Sequence, residues 1–156
     1  MPAGCKDTIT KELGVQPIQI NSKLVSAQLR GRLYWTNIPN IKQPKDKGIT
    51  FQSILEPGGY TDRLKSRCIT ARNGYEKTTN WERLYRRYHE VGFNTIVFLS
   101  PDCDWTKGIR HLTTLERERL QTLPEGYTSQ LSYNDAADVI GDGWTVDVIA
   151  HILKEI

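Results

Sequence analysis

Val25-Ser26-Ala27-Gln28-Leu29-Arg30-Gly31-Arg32-Leu33-Tyr34-Trp35 is the stretch from which the rest of the chain can be read. Its first part belongs to a polar loop or turn, Ser22 to Arg32. Its last three residues open a strand, Leu33 to Ile38, rich in aromatics and closed by Pro39. Upstream, Val15-Gln16-Pro17-Ile18-Gln19-Ile20-Asn21 alternates apolar and polar residues, the pattern of a half-buried strand. Residues 4–13 read as a short helix that stops at Gly14, a residue suited to the left-handed position after a helix end.

Downstream, residues 39–48 are linker-like, with Pro39, Pro44, Gly48 and three lysines. Ile49 to Glu56 suits a short helix broken by Pro57-Gly58-Gly59. Arg67 to Ala71 suits a short strand running into a turn at Asn73-Gly74. Trp81, Leu84, Tyr85 and Tyr88 then share one helix face, with Asn80 able to cap its start and Gly92 its end. Phe93 to Leu99 reads as a third strand. Thr113-Thr114-Leu115-Glu116 fits a capping box, predicting a helix from about Leu115 to Thr122 that ends before Pro124. Residues 134–139 suggest a turn of helix. Trp144 to Ile156 suggests an amphipathic helix whose apolar face is Val148, Ile149, Ile152 and Ile156. There is no internal repeat.

At 156 residues the chain suits one domain, or a small lobe with an appendage. No apolar run approaches the roughly 20 residues needed to span a bilayer, and the first residues lack the apolar core of a secretory signal. Cys5, Cys68 and Cys103 are an odd number without a Cys-x-x-Cys pair, which points away from disulfides and zinc and towards a reducing cytoplasm. His89, His111 and His151 are scattered, so no metal is expected. Arg63 to Arg87 holds eight basic residues against Glu76 and Glu82, whereas the segment from Asn134 onward is acidic. Such asymmetry fits either a polyanion held on one face or an ordinary solvated surface.

Three segments carry more specific information: the opening stretch, Arg110-His111-Leu112-Thr113-Thr114-Leu115-Glu116-Arg117-Glu118-Arg119-Leu120-Gln121-Thr122-Leu123-Pro124, and Ile140-Gly141-Asp142-Gly143-Trp144-Thr145-Val146-Asp147-Val148-Ile149. In order and content they resemble the last three conserved blocks of the DNA cytosine-5 methyltransferases: Gln-x-Arg-x-Arg, the Arg-x-Leu-Thr…Glu…Arg-Leu-Gln…Pro helix, and a terminal Gly-centred turn and helix. The resemblance implies an α/β fold, the C-terminal part of a Rossmann-like methyltransferase that uses S-adenosyl-L-methionine (SAM), with a small target-recognition lobe. Residues 1–40 would form the edge of the catalytic sheet, 41–107 the recognition lobe, and 108–156 the helices that return to the catalytic domain.

Members of this family flip a cytosine out of the duplex. By resemblance Arg32 donates to the base O2 and stabilises charge pushed into the ring when a thiolate adds at C6, and Arg30 braces the site or meets the backbone. Outside that pattern both would be surface arginines at the start of a strand. The insert corresponds to the recognition region, and Arg67-Cys68-Ile69-Thr70-Ala71 resembles its Thr-Ile/Leu-Thr segment with Cys68 in place of the first Thr. Arg83, Arg86 and Arg87 suit phosphates, while Arg67, Thr70, Arg72, Asn73, Lys77 and Asn80 complete the DNA-facing set. In the second block Glu116 caps, Leu112, Leu115 and Leu120 pack, and Arg110 and Arg119 link lobe to core. In the third, Gly141, Asp142 and Trp144 are the SAM-side residues. Trp144 departs from the common Gly-Asn-Ser-Val and is similar to a Trp of the animal de novo methyltransferases; the plainer alternative is an anchor for the last helix.

The family also needs a Gly-rich cofactor turn, a Pro-Cys nucleophile loop and a Glu-Asn-Val strand, and these motifs do not occur in the 156 residues. The expectation is therefore a C-terminal portion, inactive alone, that binds double-stranded DNA and meets an N-terminal half or self-associates. It would act in the cytoplasm, in a prokaryotic or phage-encoded setting such as restriction-modification. The alternative is a stand-alone, non-catalytic DNA-binding or regulatory module derived from the family.

Overall fold

The computed structural model describes residues 3–69, 80–90 and 95–154. The expectations for Thr70, Arg72, Asn73, Lys77, Gly92 and Ile156, and for the start of the third strand at Phe93, lie outside the described residues. Helix α1 spans Ala3–Leu13 and ends as expected at Gly14, whose φ is +67° and whose N–H donates to Thr10 O at 3.0 Å. Strands β1 (Ile18–Asn21) and β2 (Gly31–Tyr34) pair antiparallel, with Ile20 opposite Arg32 and Asn21 opposite Gly31. Both are shorter than expected, and β2 begins inside the presumed loop. That loop is far from solvated: Ser22, Ser26, Gln28 and Arg30 are all buried.

A single turn of 3-10 helix at Gln52–Ile54 replaces the helix anticipated over Ile49 to Glu56. Gly59 follows, where a Cβ would stand 2.9 Å from Val97 Cγ1 and 2.8 Å from Arg110 Nη2, so the close approach of backbone to neighbours requires glycine. The strand expected from Arg67 does not form over Arg67, Cys68 and Ile69. Pairing stops at one bridge between Ser66 and Gln28, because the Ile69 N–H turns to the Gln28 side-chain oxygen at 3.2 Å.

Helix α2 (Trp81–Glu90) buries Leu84 and Tyr88, and the Asn80 side chain accepts from the Arg83 N–H at 2.9 Å at its start. Strand β3 is only Val97–Phe98, paired antiparallel with β4, Ile109–Arg110. Helix α3 (Thr114–Leu120) carries the expected capping box, with Thr113 and Glu116 each closing on the other's backbone N–H. Helix α4 (Tyr133–Asp142) is longer than the predicted turn, because Ser132 caps it and Ala136, Ala137 and Ile140 bury one face. Helix α5 is Val146–Leu153 and starts two residues later than expected. Its first N–H groups are taken by the end of α3: Val146 N–H donates to Gln121 O at 2.9 Å and Asp147 N–H to Thr122 Oγ1 at 2.9 Å.

Apolar side chains gather in three clusters. The central one joins Ala27, Phe51, Ile54, Ile69 and Val97 to Leu112, Leu120, Ala136 and Ile140. A second packs α2 on the β3–β4 pair through Leu84, Tyr88, Ile96, Phe98 and Ile109. The third packs the β1–β2 hairpin on α5 through Ile20, Val25, Val148 and Ile152. The fold is α/β, and its described strands form two small antiparallel pairs rather than a wound parallel sheet.

Candidate functional site

Arg30 and Arg32 stand two residues apart on the chain entering β2 and so lean to the same side, yet their surroundings differ completely. Arg30 is buried at 4% exposure. Its Nη1 donates to Ile69 O at 2.8 Å and to Cys68 Sγ at 3.2 Å; its Nη2 donates to Gly141 O at 3.0 Å and Gly143 O at 2.8 Å. The last two carbonyls belong to the C-terminal end of α4, where unmatched acceptors and the negative end of the helix dipole suit a cation. A buried guanidinium is thus held by carbonyl dipoles. Arg32 is exposed, with Nη1 donating to Gly31 O at 3.1 Å and Nη2 to Cys68 Sγ at 3.5 Å. It lines an open cleft of about 520 Å³ with Lys6, Gln19, Gly31 and Leu33.

Behind the arginines, a buried polar network joins all three blocks singled out by sequence. Gln28 Nε2 donates to Leu120 O at 2.8 Å and to Gln121 Oε1 at 3.0 Å, and Ser26 Oγ donates to the same Leu120 carbonyl at 2.8 Å. Gln121 Nε2 reaches Ile140 O at 2.8 Å, while its Oε1 accepts from Thr145 Oγ1 at 2.8 Å. Thr145 in turn meets Ser22 Oγ at 2.8 Å. The carbonyls of Leu120, Ile140 and Gly143, at the ends of α3 and α4, find donors in this network, which satisfies polar groups that would otherwise be costly to bury.

The second block is a brace. Arg110 forks onto Glu116, with Nη1 2.8 Å from Oε2 and Nη2 2.7 Å from Oε1. Burial pushes the Glu116 carboxyl up, but the Arg110 fork and the N–H groups of Glu56 and Thr113 outweigh it and hold it below the ordinary glutamate range. Arg119 donates to Ile54 O at 3.0 Å, tying α3 to the 3-10 turn.

Around Trp144 the surface is apolar. Leu123, Tyr127, Val139, Trp144, Ile149 and Leu153 line a groove of about 520 Å³, and Trp144 is 65% exposed. Trp144 precedes α5 and is not part of the helix. Gly141 is buried, with its carbonyl on Arg30, and Asp142 is exposed.

The basic run divides by position. Arg63 stacks 3.5 Å above the Tyr88 ring and donates to Tyr88 O at 2.7 Å. Burial pushes the Tyr88 phenol up, and its hydrogen bond to Asp62 adds to that. Lys65 Nζ binds the carbonyls of Lys23, Ser26 and Ile49 at 2.7, 3.0 and 2.5 Å. These two cations are internal struts. Arg67, Arg83 and Arg86 are exposed and Arg87 is half-buried, while Asn80 caps α2. Sequence reasoning gave no role to Cys68, Gln121 or Thr145, although polar side chains inside segments that otherwise pack apolar faces are a signal of buried hydrogen bonding. Among the described residues there is no grouping of His, Cys, Asp and Glu that could hold a metal, and no helix is long and apolar enough to cross a membrane.

Within this α/β fold Arg30 is locked to the end of α4, and Arg32 stands beside it at the cleft. The family described as C-5 cytosine-specific DNA methylase matches residues 16–156, and the chain belongs to that family. Among solved structures it is similar to the Entamoeba histolytica methyltransferase EhMeth, with a TM-score of 0.62 at 15% sequence identity. That likeness, which is one of fold, covers 96% of this chain and 56% of EhMeth, so the chain spans a little over half the length of that protein.

Proposed function

We propose that this chain is the C-terminal part of a DNA cytosine-5 methyltransferase, supplying target recognition and one wall of the pocket for cytosine and SAM. The observation that carries the reading is the contrast between its two motif arginines: Arg30 is fixed by four acceptors, while Arg32 remains at the wall of an open cleft. A planar donor held in that way suits the O2 of a flipped cytosine, where charge develops as a thiolate adds at C6. The thiolate comes from elsewhere: Cys5, Cys68 and Cys103 follow Gly4, Arg67 and Asp102, and none sits in a Pro-Cys loop. Residues 41–107 form the recognition lobe, with Arg67, Arg83, Arg86 and Arg87 toward phosphates and Thr70, Arg72, Asn73, Lys77 and Asn80 toward bases. Residues 1–40 and 108–156 belong to the edge of a Rossmann-like catalytic domain, which accords with the hairpin packing on α5. Gly141, Asp142 and Trp144 face the cofactor side, and an indole is suited to the adenine or sulfonium of SAM.

The test combines this chain with N-terminal portions of family members that carry the Pro-Cys loop, duplex DNA and tritiated SAM. Tritium should enter the DNA only when both parts are present, and Arg32→Ala should lower the rate roughly 100-fold or more. Salt-sensitive duplex binding by the chain alone, with no methylation alongside any partner, would instead support a non-catalytic DNA-binding module.

A further inference from the structure

We infer that Cys68 is a positioning residue for Arg32, holding its guanidinium at the cleft by tying it to the buried Arg30. The inference rests on the role proposed for Arg32. One sulfur accepts from both arginines, 3.2 Å from Arg30 Nη1 and 3.5 Å from Arg32 Nη2, and its own S–H donates to Ile69 O at 3.4 Å. The same Ile69 carbonyl takes Arg30 Nη1 at 2.8 Å, so thiol, carbonyl and the first guanidinium form a closed set with Arg32 as its outward member.

Cys68 is itself well anchored. On one side Ser66 donates its N–H to Ala27 O at 2.8 Å and accepts from Leu29 N–H at 2.9 Å; on the other, Ile69 N–H is held by Gln28 Oε1. By contrast, the other hydrogen bond of Arg32 among the described residues runs to Gly31 O, its neighbour in sequence. Arg32 has several rotatable bonds and a like charge beside it, both of which favour a swing into solvent. An acceptor placed between the two guanidinium groups counters both effects. Sulfur is a weak acceptor, so the effect is graded rather than all-or-none.

The experiment compares wild type with Cys68→Ala and Cys68→Ser by two readouts. In the chain alone, isotope-labelled arginine NMR should show a restricted Arg32 side chain in wild type, averaged in the alanine variant and restored in the serine variant, with melting lowered far less than by Arg30→Ala, because Arg30 keeps its three carbonyl acceptors. In the two-part enzyme, Cys68→Ala should lower kcat roughly tenfold, short of the ~100-fold that a full ångström of misplacement costs. KM for DNA and SAM should stay within about twofold, and Cys68→Ser should recover most of the rate. Unchanged Arg32 signals, an undiminished kcat, or a serine variant no better than alanine each overturn the inference. If no partner yields methylation, the proposed function fails, and the NMR comparison still decides whether Cys68 orders Arg32.

Discussion

Arg30 and Arg32 have the same chemistry and opposite demands on their surroundings, so their replacement should separate cleanly. Arg30→Ala takes the guanidinium from the Gly141 carbonyl and leaves those of Ile69 and Gly143 with only the longer contacts from the Cys68 S–H and Gln121 Nε2. The expected loss is on the order of 3 kcal/mol, read as a large drop in the urea midpoint. Arg32→Ala removes an exposed side chain and should leave the midpoint within about 0.5 kcal/mol of wild type. Equal destabilisation by the two would contradict the division of labour between strut and donor. The sequence pattern singled out both residues, but Gln-x-Arg-x-Arg cannot say which is buried. That depends on where β2 begins, at Gly31, and on the end of α4, which lies 111 residues away from Arg30.

At the scale of elements, α3 offers a pH test. The Glu116 pKa is lowered in the folded protein from the 4.5 of an unperturbed glutamate. A lowered folded value means that the contribution is fully present above pH 4.5 and fades as pH falls through the folded value. Urea midpoints measured from pH 7 downward should therefore fall more steeply below about pH 4.5 in wild type than in Glu116→Gln; parallel curves would remove Glu116 as a cause. The box that holds this carboxylate was legible because its rule is local, as were Gly14 ending α1 and the burial of Leu84 and Tyr88 on α2, although Trp81 of the same expected face is exposed. Strand lengths were not legible. Hydrophobic alternation marks which residues can lie extended, while a strand ends where its neighbours stop pairing, as when the Ile69 N–H turns to a glutamine side chain.

Across the whole molecule, the groove beside Trp144 leaves an apolar face uncovered. Tyr127, Val139 and Trp144 are 69%, 52% and 65% exposed within it. Contiguous apolar surface of this kind drives association, so the isolated chain should self-associate at rising concentration in sedimentation velocity. Val139→Lys combined with Trp144→Ser should shift it towards monomer. A sharp monomer boundary for wild type at all concentrations would count against the prediction. The three blocks were recognisable in sequence, and their meeting in one network was not, because each polar side chain there is satisfied by a partner from another block.

That network has a consequence for how the chain is made. Ser22 meets Thr145 across 123 positions, and Gln28 meets Leu120 across 92. Contacts so distant in sequence close late and slowly. The hairpin and its arginines can only settle once α5 has left the ribosome, and until then Ser22, Ser26, Gln28 and Arg30 remain hydrated. A nascent chain stalled before Gly143 should thus be a substrate for proteases and chaperones at its opening residues.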